Sequence, residues 1–297
     1  VSIEMTSTST PSTWTIRSLL AWIAQDFGGL GISSPRLDAE LLIGAALGLA
    51  RVKLYLDLDR PLGPDELAKV RALVVRRRKR EPVAYIVGER EFYRRSFEVT
   101  PAVLIPRPDT ETLIERALEL LPAGSPARVL DLCTGSGAIA ATLAAERPEV
   151  QMTATDLSAA ALEVARRNAG RHGVTERCVF LEGDLFAPLT AAGHFQLIVA
   201  NPPYIPEAEI ETLQAEIKQY EPRIALASGV EGLSHLERLC REAGAFLEPG
   251  GAVLFELGQG QSDTVRGWLE AAGFTDVTAH KDLGGIERVV EGHRPEG

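Results

Sequence analysis

Residues 128–147 read "RVLDLCTGSGAIAATLAAER", and the order of residue types in this stretch decides the fold. A short apolar run of strand type, "RVLDL", meets Gly135 and Gly137 and passes straight into an alanine-rich segment of high helix propensity. A strand that turns tightly into a helix opens a βαβ unit, whose next strand lies parallel to the first. The alternation then continues. "QMTATD" reads as a strand, "AAALEVARRNAGRHG" as a helix, and "CVFLEGD" and "FQLIVANPP" as strands. Beyond them come the helix "GLSHLERLCREAGAFL", the strand "GAVLFEL", the helix "QSDTVRGWLEAAG" and two closing strands, "FTDVTAH" and "IERVVEG". Strands separated by helices imply a doubly wound α/β sheet with right-handed crossovers.

Outward toward the N-terminus the periodicity changes to helical. Apolar residues recur at three- and four-residue spacings in "TIRSLLAWIAQDF", "RLDAELLIGAALGL" and "DELAKVRALVVRRRKR", with Ser34-Pro35 and Pro64-Asp65 as helix openings. The segment "EPVAYIVGEREFYRRSFEVTPAVLIP" is richer in β-branched and aromatic residues and reads as hairpin-like. A helix capped by Asp109 is expected to follow it. The expected domains are a Ser/Thr-rich tail over 1–13, a small helical domain over 14–81, a linker over 82–108 and the α/β domain over 109–297. The tail lacks the charged start and apolar core of a signal peptide.

Composition narrows the function classes. No apolar run reaches the roughly 18–20 residues that span a bilayer, so no membrane association is expected. Cys133, Cys178 and Cys240 are odd in number and far apart, which suits a reducing cytoplasm. The five histidines, at 172, 194, 235, 280 and 293, are scattered and read as exposed; no metal site is expected. Net charge is −10, yet residues 1–100 carry 15 Lys/Arg against 12 Asp/Glu, so the acidity belongs to the remainder. An acidic α/β domain argues against direct nucleic-acid binding. The run "VVRRRKREP" over 74–82 reads as a solvated helix end, with an acidic protein partner as the other reading.

Candidate chemistry lies at the strand ends. Gly135 and Gly137, within the loop Cys133, Thr134, Gly135, Ser136, Gly137, permit a tight turn and close backbone approach at a helix N-terminus. Nineteen residues after Gly137 the second strand ends in Asp156, suited to a ribose diol. The third glycine of a dinucleotide fingerprint is replaced by Ala140, so a cofactor with one adenosine and no pyrophosphate fits better: S-adenosylmethionine. Asp184 is a candidate acceptor for the adenine amino group, with Leu185 and Phe186 as candidate covers for its ring; a strand-terminal turn is the plain alternative. The fourth strand runs into "NPPY", residues 201–204. Two prolines remove two donors and hold the backbone extended there.

These motifs together resemble the PrmC/HemK family of protein-(glutamine-N5) methyltransferases. The resemblance rests on "RLDAELL", "EPVAYIVG", "VLIPRPDTE", "DLCTGSGAIA", "NPPYI" and "DLGGIER", and covers nearly all of the chain after the tail. It implies a Rossmann-like class I S-adenosylmethionine-dependent methyltransferase sheet with a small N-terminal helical domain. It also implies methyl transfer to the glutamine of the Gly-Gly-Gln motif in class I peptide-chain release factors, with S-adenosylhomocysteine as product. Cofactor positions carried over are Cys133, Thr134, Gly135, Ser136, Gly137, Asp156, Leu185 and Asn201; the substrate motif is Asn201, Pro202, Pro203 and Tyr204. In that scheme the Asn201 side-chain oxygen and the Pro202 carbonyl accept the two amide N–H groups, and Tyr204 walls the planar amide. Phe92, Tyr93 and "IPRPDTE" resemble segments that close over the family's site. Arg107 is a partner contact, an anchor for its loop, or half of a local ion pair with Asp109, and the role of Glu256 is open. "NPPY" alone is shared with adenine-N6 methyltransferases. Methylation of a ribosomal-protein glutamine or of adenine therefore stays as an alternative activity, and a binding module without turnover as an alternative class.

Overall fold

The computed structural model describes residues 13–189 and 194–296, and most of the expected tail lies outside them. The chain forms two units that divide between Val87 and Gly88.

The first unit is helical: α1 (Ile16–Gly29), α2 (Pro35–Leu47), α3 (Arg51–Leu56), α4 (Pro64–Arg78) and α5 (Val83–Val87). Thr15 and Ser18 cap α1 reciprocally, and prolines open α2 and α4 where a missing N–H costs nothing. Residues 83–87, expected in the hairpin-like segment, are helical instead. Pro82 accepts from the amides of Tyr85 and Ile86, and Tyr85 and Ile86 bury their side chains. The basic run is not simply a solvated helix end. Arg76 Nε donates to Glu81 at 2.8 Å, Arg77 Nε to Asp38 at 2.7 Å and Arg78 Nε to Asp26 at 2.8 Å, with Arg77 only 5% exposed. Its arginines hold the helical unit together, because a buried guanidinium requires a carboxylate partner.

The second unit opens with an antiparallel hairpin, β1 (Glu89–Phe92) and β2 (Arg95–Glu98). A 3-10 turn over Pro108–Thr110 leads into α6 (Glu111–Leu120). Asp109 is not the cap: Thr110 occupies that position without a side-chain bond, and the Asp109 carboxylate lies 3.5 Å from Arg288. The remaining elements are β3 (Ala127–Leu132), α7 (Ala138–Glu146), β4 (Val150–Asp156), α8 (Ala159–Arg171), β5 (Cys178–Glu182) and β6 (Phe195–Ala200). They are followed by α9 (Ala215–Tyr220), α10 (Ser234–Glu242), β7 (Leu247–Glu256), α11 (Ser262–Ala271), β8 (Thr275–Lys281) and β9 (Glu287–His293).

The seven-stranded sheet has the order β5-β4-β3-β6-β7-β9-β8. The first five are parallel, and β9 runs antiparallel to both neighbours because a tight turn joins it to β8. Alternation along each central strand separates two cores. Val129, Leu197 and Leu254 face α6, α7 and the hairpin's Phe92 and Phe97, whereas Leu130, Ile198 and Val253 face α10 and α11. Both faces are covered, which is why the central strands read as nearly continuous apolar runs. Successive strands are added outward from β3 on one side and from β6 on the other. Ligands in such sheets bind beyond the carboxyl ends of the strands at this reversal.

Candidate active site

A cleft opens there, lined by residues from β3, β4, the β5 end, the β6 end and the segment 102–110. Leaving β3, Asp131 Oδ2 accepts from the Thr134 hydroxyl at 2.6 Å and from the Ala140 amide at 3.2 Å. That clamp folds the loop back on the first turn of α7. Desolvation pushes the fully buried Asp131 carboxyl up to about 7. Sequence reading missed this residue, although a strand-terminal Asp three positions before Thr134 is a recognisable turn signal.

Gly137 has φ +75°, and a Cβ there would meet Ala165 Cβ of α8 at 2.9 Å, so glycine is required both for conformation and for the approach of α8. Cys133 takes φ +59° with a side chain in place, a left-handed geometry that costs roughly 1 kcal/mol. Leu185 does the same at φ +49° on the opposite lining. Buried Asn168 on α8 donates from Nδ2 to Ser136 O at 2.9 Å and to Glu98 O at 3.0 Å, joining hairpin, loop and helix.

Asp156 ends β4 in the cleft. Its Oδ2 accepts from the Gly135 amide at 2.8 Å and its Oδ1 from the Ser158 amide at 2.9 Å. Each oxygen keeps a further lone pair for a ligand hydroxyl. Burial raises the carboxyl pKa and these two bonds oppose the rise.

Of the expected cofactor positions, Cys133, Thr134, Gly135, Ser136, Asp156, Asp184, Leu185 and Asn201 line the cleft, while Gly137 sits behind it under α8. Asp184 lies beyond β5, and both of its oxygens accept from Arg238 Nη1, at 3.1 and 2.8 Å. Phe186 does not cover the cleft: it is buried and stacks on Phe246 at 4.7 Å. His235 does line it, with Nδ1 2.7 Å from Ser228 Oγ. Of the five histidines only His194 is exposed; the others are part-buried beside polar or aromatic partners, since an imidazole with a hydrogen bond is readily half-covered.

The β6 end carries the "NPPY" motif. Asn201 and Pro203 line the cleft. Asn201 Nδ2 donates to Thr110 Oγ1 at 3.1 Å, and among the described residues none donates to its Oδ1. Tyr204 is turned out of the lining, and its hydroxyl donates to Glu256 Oε1 at 3.3 Å. Glu256 is 1% exposed at the end of β7, and burial pushes its carboxyl up to about 7. Arg107 pairs with buried Glu221 at 2.6 Å rather than with Asp109, fastening the segment 102–110 to the turn after α9. Phe92 and Ile139 supply apolar lining, whereas Tyr93 packs against the core.

The donor set suits a phosphate-free adenosine cofactor. Arg107 is the one cation among the lining residues, and it already holds Glu221, so nothing there matches the charge of a pyrophosphate. A single carboxylate with two fixed oxygens matches a ribose diol.

A family model described as PrmC N-terminal domain matches residues 18–88, and a methyltransferase small domain matches residues 110–220. The chain is 47% identical over 285 residues to the release factor glutamine methyltransferase of Geobacter sulfurreducens, covering 96% of this chain and 99% of that one. It is 45% identical to the enzyme of the same description from Chlorobaculum tepidum, covering 93% and 96%. A methyltransferase structure from Pyrococcus furiosus shares the fold, with a TM-score of 0.50 at 20% identity over 67% of this chain and 88% of that one. By full-length identity, the chain belongs to the family of release factor glutamine methyltransferases, S-adenosylmethionine-dependent enzymes built on this sheet.

Proposed function

We propose that this protein methylates the side-chain nitrogen N5 of the glutamine in the Gly-Gly-Gln motif of class I release factors, in the cytoplasm where translation terminates. The observation that carries the reading is the Asn201 amide, whose nitrogen is held by Thr110 and whose oxygen has no other donor among the described residues.

An amide nitrogen is a weak nucleophile because its lone pair is delocalised. Two acceptors on its two N–H groups fix its plane and raise its electron density. Asn201 Oδ1 is one such acceptor, and the Pro202 carbonyl, held extended by Pro203, is the second. Bound S-adenosylmethionine supplies an electrophilic methyl carbon. Asp156 would hold the ribose, Leu185 would border the adenine, and the loop Cys133 to Ser136, turned by Gly137, would receive the rest. Asp184 contributes to the adenine end through the pair it forms with Arg238. Tyr204 acts from behind the lining, through Glu256, rather than as a wall. The surplus proton leaves to water after transfer, so no strong base is needed.

A release factor whose Gly-Gly-Gln glutamine is replaced by glutamate tests the reading. Labelled methyl is expected on the native factor and none on the substituted one. Equal labelling of both would overturn it.

A further inference from the structure

His235 lines the cleft and takes no part in the scheme above. It is the second residue of α10, where a backbone amide has no partner inside its own helix. Fully buried Ser228 supplies one from outside, its Oγ accepting from the His235 amide at 3.1 Å. The same oxygen lies 2.7 Å from His235 Nδ1.

A serine hydroxyl has one proton and two lone pairs. The His235 amide occupies a lone pair. Among the described residues the other bond of Ser228 Oγ is to Nδ1, so the hydroxyl proton belongs there; turned elsewhere it would be buried without an acceptor and carry its full desolvation penalty. Nδ1 is therefore the acceptor, and the neutral ring keeps its proton on Nε2. Burial lowers the imidazole pKa, opposed by Asp184 and assisted by Arg238, so the neutral form prevails at pH 7. Nε2 has no partner among the described residues. The ring thus offers one N–H donor on the cleft side.

Its place along the cleft follows from α10. His235 and Arg238 are three residues apart and share a helix face, and Arg238 Nη1 bonds both oxygens of Asp184. Asp184 lines the cleft as well. A neutral donor therefore stands beside a carboxylate acceptor at the end taken above for adenine. Adenine matches that order, because its amino group donates and the ring nitrogens on either side of it, N1 and N7, accept.

We propose that His235 is a cofactor-binding residue, donating from Nε2 to the adenine ring nitrogen, N1 or N7, beside the amino group. Ser228 is its positioning residue and holds the donor tautomer. The inference rests on the placement of adenine at Asp184 and needs no release factor.

Calorimetry with S-adenosylhomocysteine alone tests it. His235→Phe keeps a ring and removes the donor, and its Kd is expected to rise ~3- to 10-fold. His235→Gln, with an N–H donor at similar reach, is expected to recover most of that loss. On the wild type, either the 1-deaza or the 7-deaza analogue should bind ~3- to 10-fold more weakly than the parent, and on His235→Phe that analogue should bind as the parent does. A folded His235→Phe with wild-type Kd, or an analogue loss that persists in the variant, would overturn the proposal. So would imidazole nitrogen resonances that place the proton on Nδ1 in the free wild type. The analogue lacking the amino group separates this inference from the reading beneath it. Binding equal to the parent sinks the placement of adenine at Asp184 and the inference with it, whereas weaker binding without any N1 or N7 dependence sinks the role of His235 alone.

Discussion

Glu256 on β7 and Glu291 on β9 occupy neighbouring strands and are 1% and 2% exposed, yet their environments push them in opposite directions. Burial raises Glu256 to about 7, opposed only by hydroxyl donors and more distant charges. Glu291 accepts from Arg116 Nη2 at 2.9 Å and lies 2.8 Å from His280 Nε2 and 2.7 Å from His293 Nε2, and these partners hold it well below the usual carboxylate range. One carboxylate is surrounded by cation-capable groups and stabilises the sheet edge. The other is kept beside the Tyr204 hydroxyl and the cleft, where burial makes its charge costly. Burial alone does not say which role a carboxylate has; the partners do.

The contrast breaks if cleft changes cost stability or edge changes cost turnover. Asn201→Ala should lower kcat by about 10²- to 10³-fold with little change in Tm, because one preorganised acceptor is removed from a part-exposed position. Circular dichroism melts beside steady-state rates check this, and a large drop in Tm would count against the separation.

Glu291→Gln is expected to destabilise by about 3 kcal/mol, leaving kcat unchanged at temperatures below the melt, since Arg116 loses its buried counter-ion. The sign in pH follows from the depressed native pKa. The stabilisation is present above the unfolded Glu value and is lost as pH falls through the native one. Urea titrations should show that loss begin as pH falls below about 4 and grow toward lower pH in the wild type, with little of it in the variant.

Asp156→Ala should weaken cofactor binding by about 2 kcal/mol, the worth of hydrogen bonds to a charged acceptor, measured by calorimetry. Unchanged affinity would remove Asp156 from the ribose site. Glu256→Gln should be more stable than the wild type at pH 8 by about 1 kcal/mol. Its native carboxyl is raised to about 7, so the wild type loses stability as pH climbs from the unfolded Glu value through about 7, and glutamine does not. The smallest effect belongs to Cys133→Gly, where relief of the left-handed φ of +59° and the added chain entropy of glycine nearly cancel. Its Tm should change by no more than a degree or two, with activity kept.

Much of the sheet was legible because each strand pattern is local: alternating or continuous apolar runs, glycines at turns, and a helix between each parallel pair. The cleft residues from Cys133 to Ser136, Asp156, Leu185 and Asn201 were legible because they follow strand ends directly. What escaped was long-range pairing. Arg107 meets Glu221 across 114 residues, Asp184 meets Arg238 across 54, and Tyr204 meets Glu256 across 52. No local pattern announces such partners, because side-chain bonds across a fold depend on which loops the topology brings together. Asp109 was misjudged for the same reason: a cap is a local inference, and Arg288 on a distant strand provides an alternative partner. His235 read as surface because its polar partner and the cleft come from separate turns of chain.

The most direct test incubates the protein with labelled S-adenosylmethionine, a class I release factor and duplex DNA together, and locates the methyl group by mass spectrometry. The account predicts label on the side-chain nitrogen of the Gly-Gly-Gln glutamine and none on adenine. Label on adenine with the glutamine unmodified would contradict it.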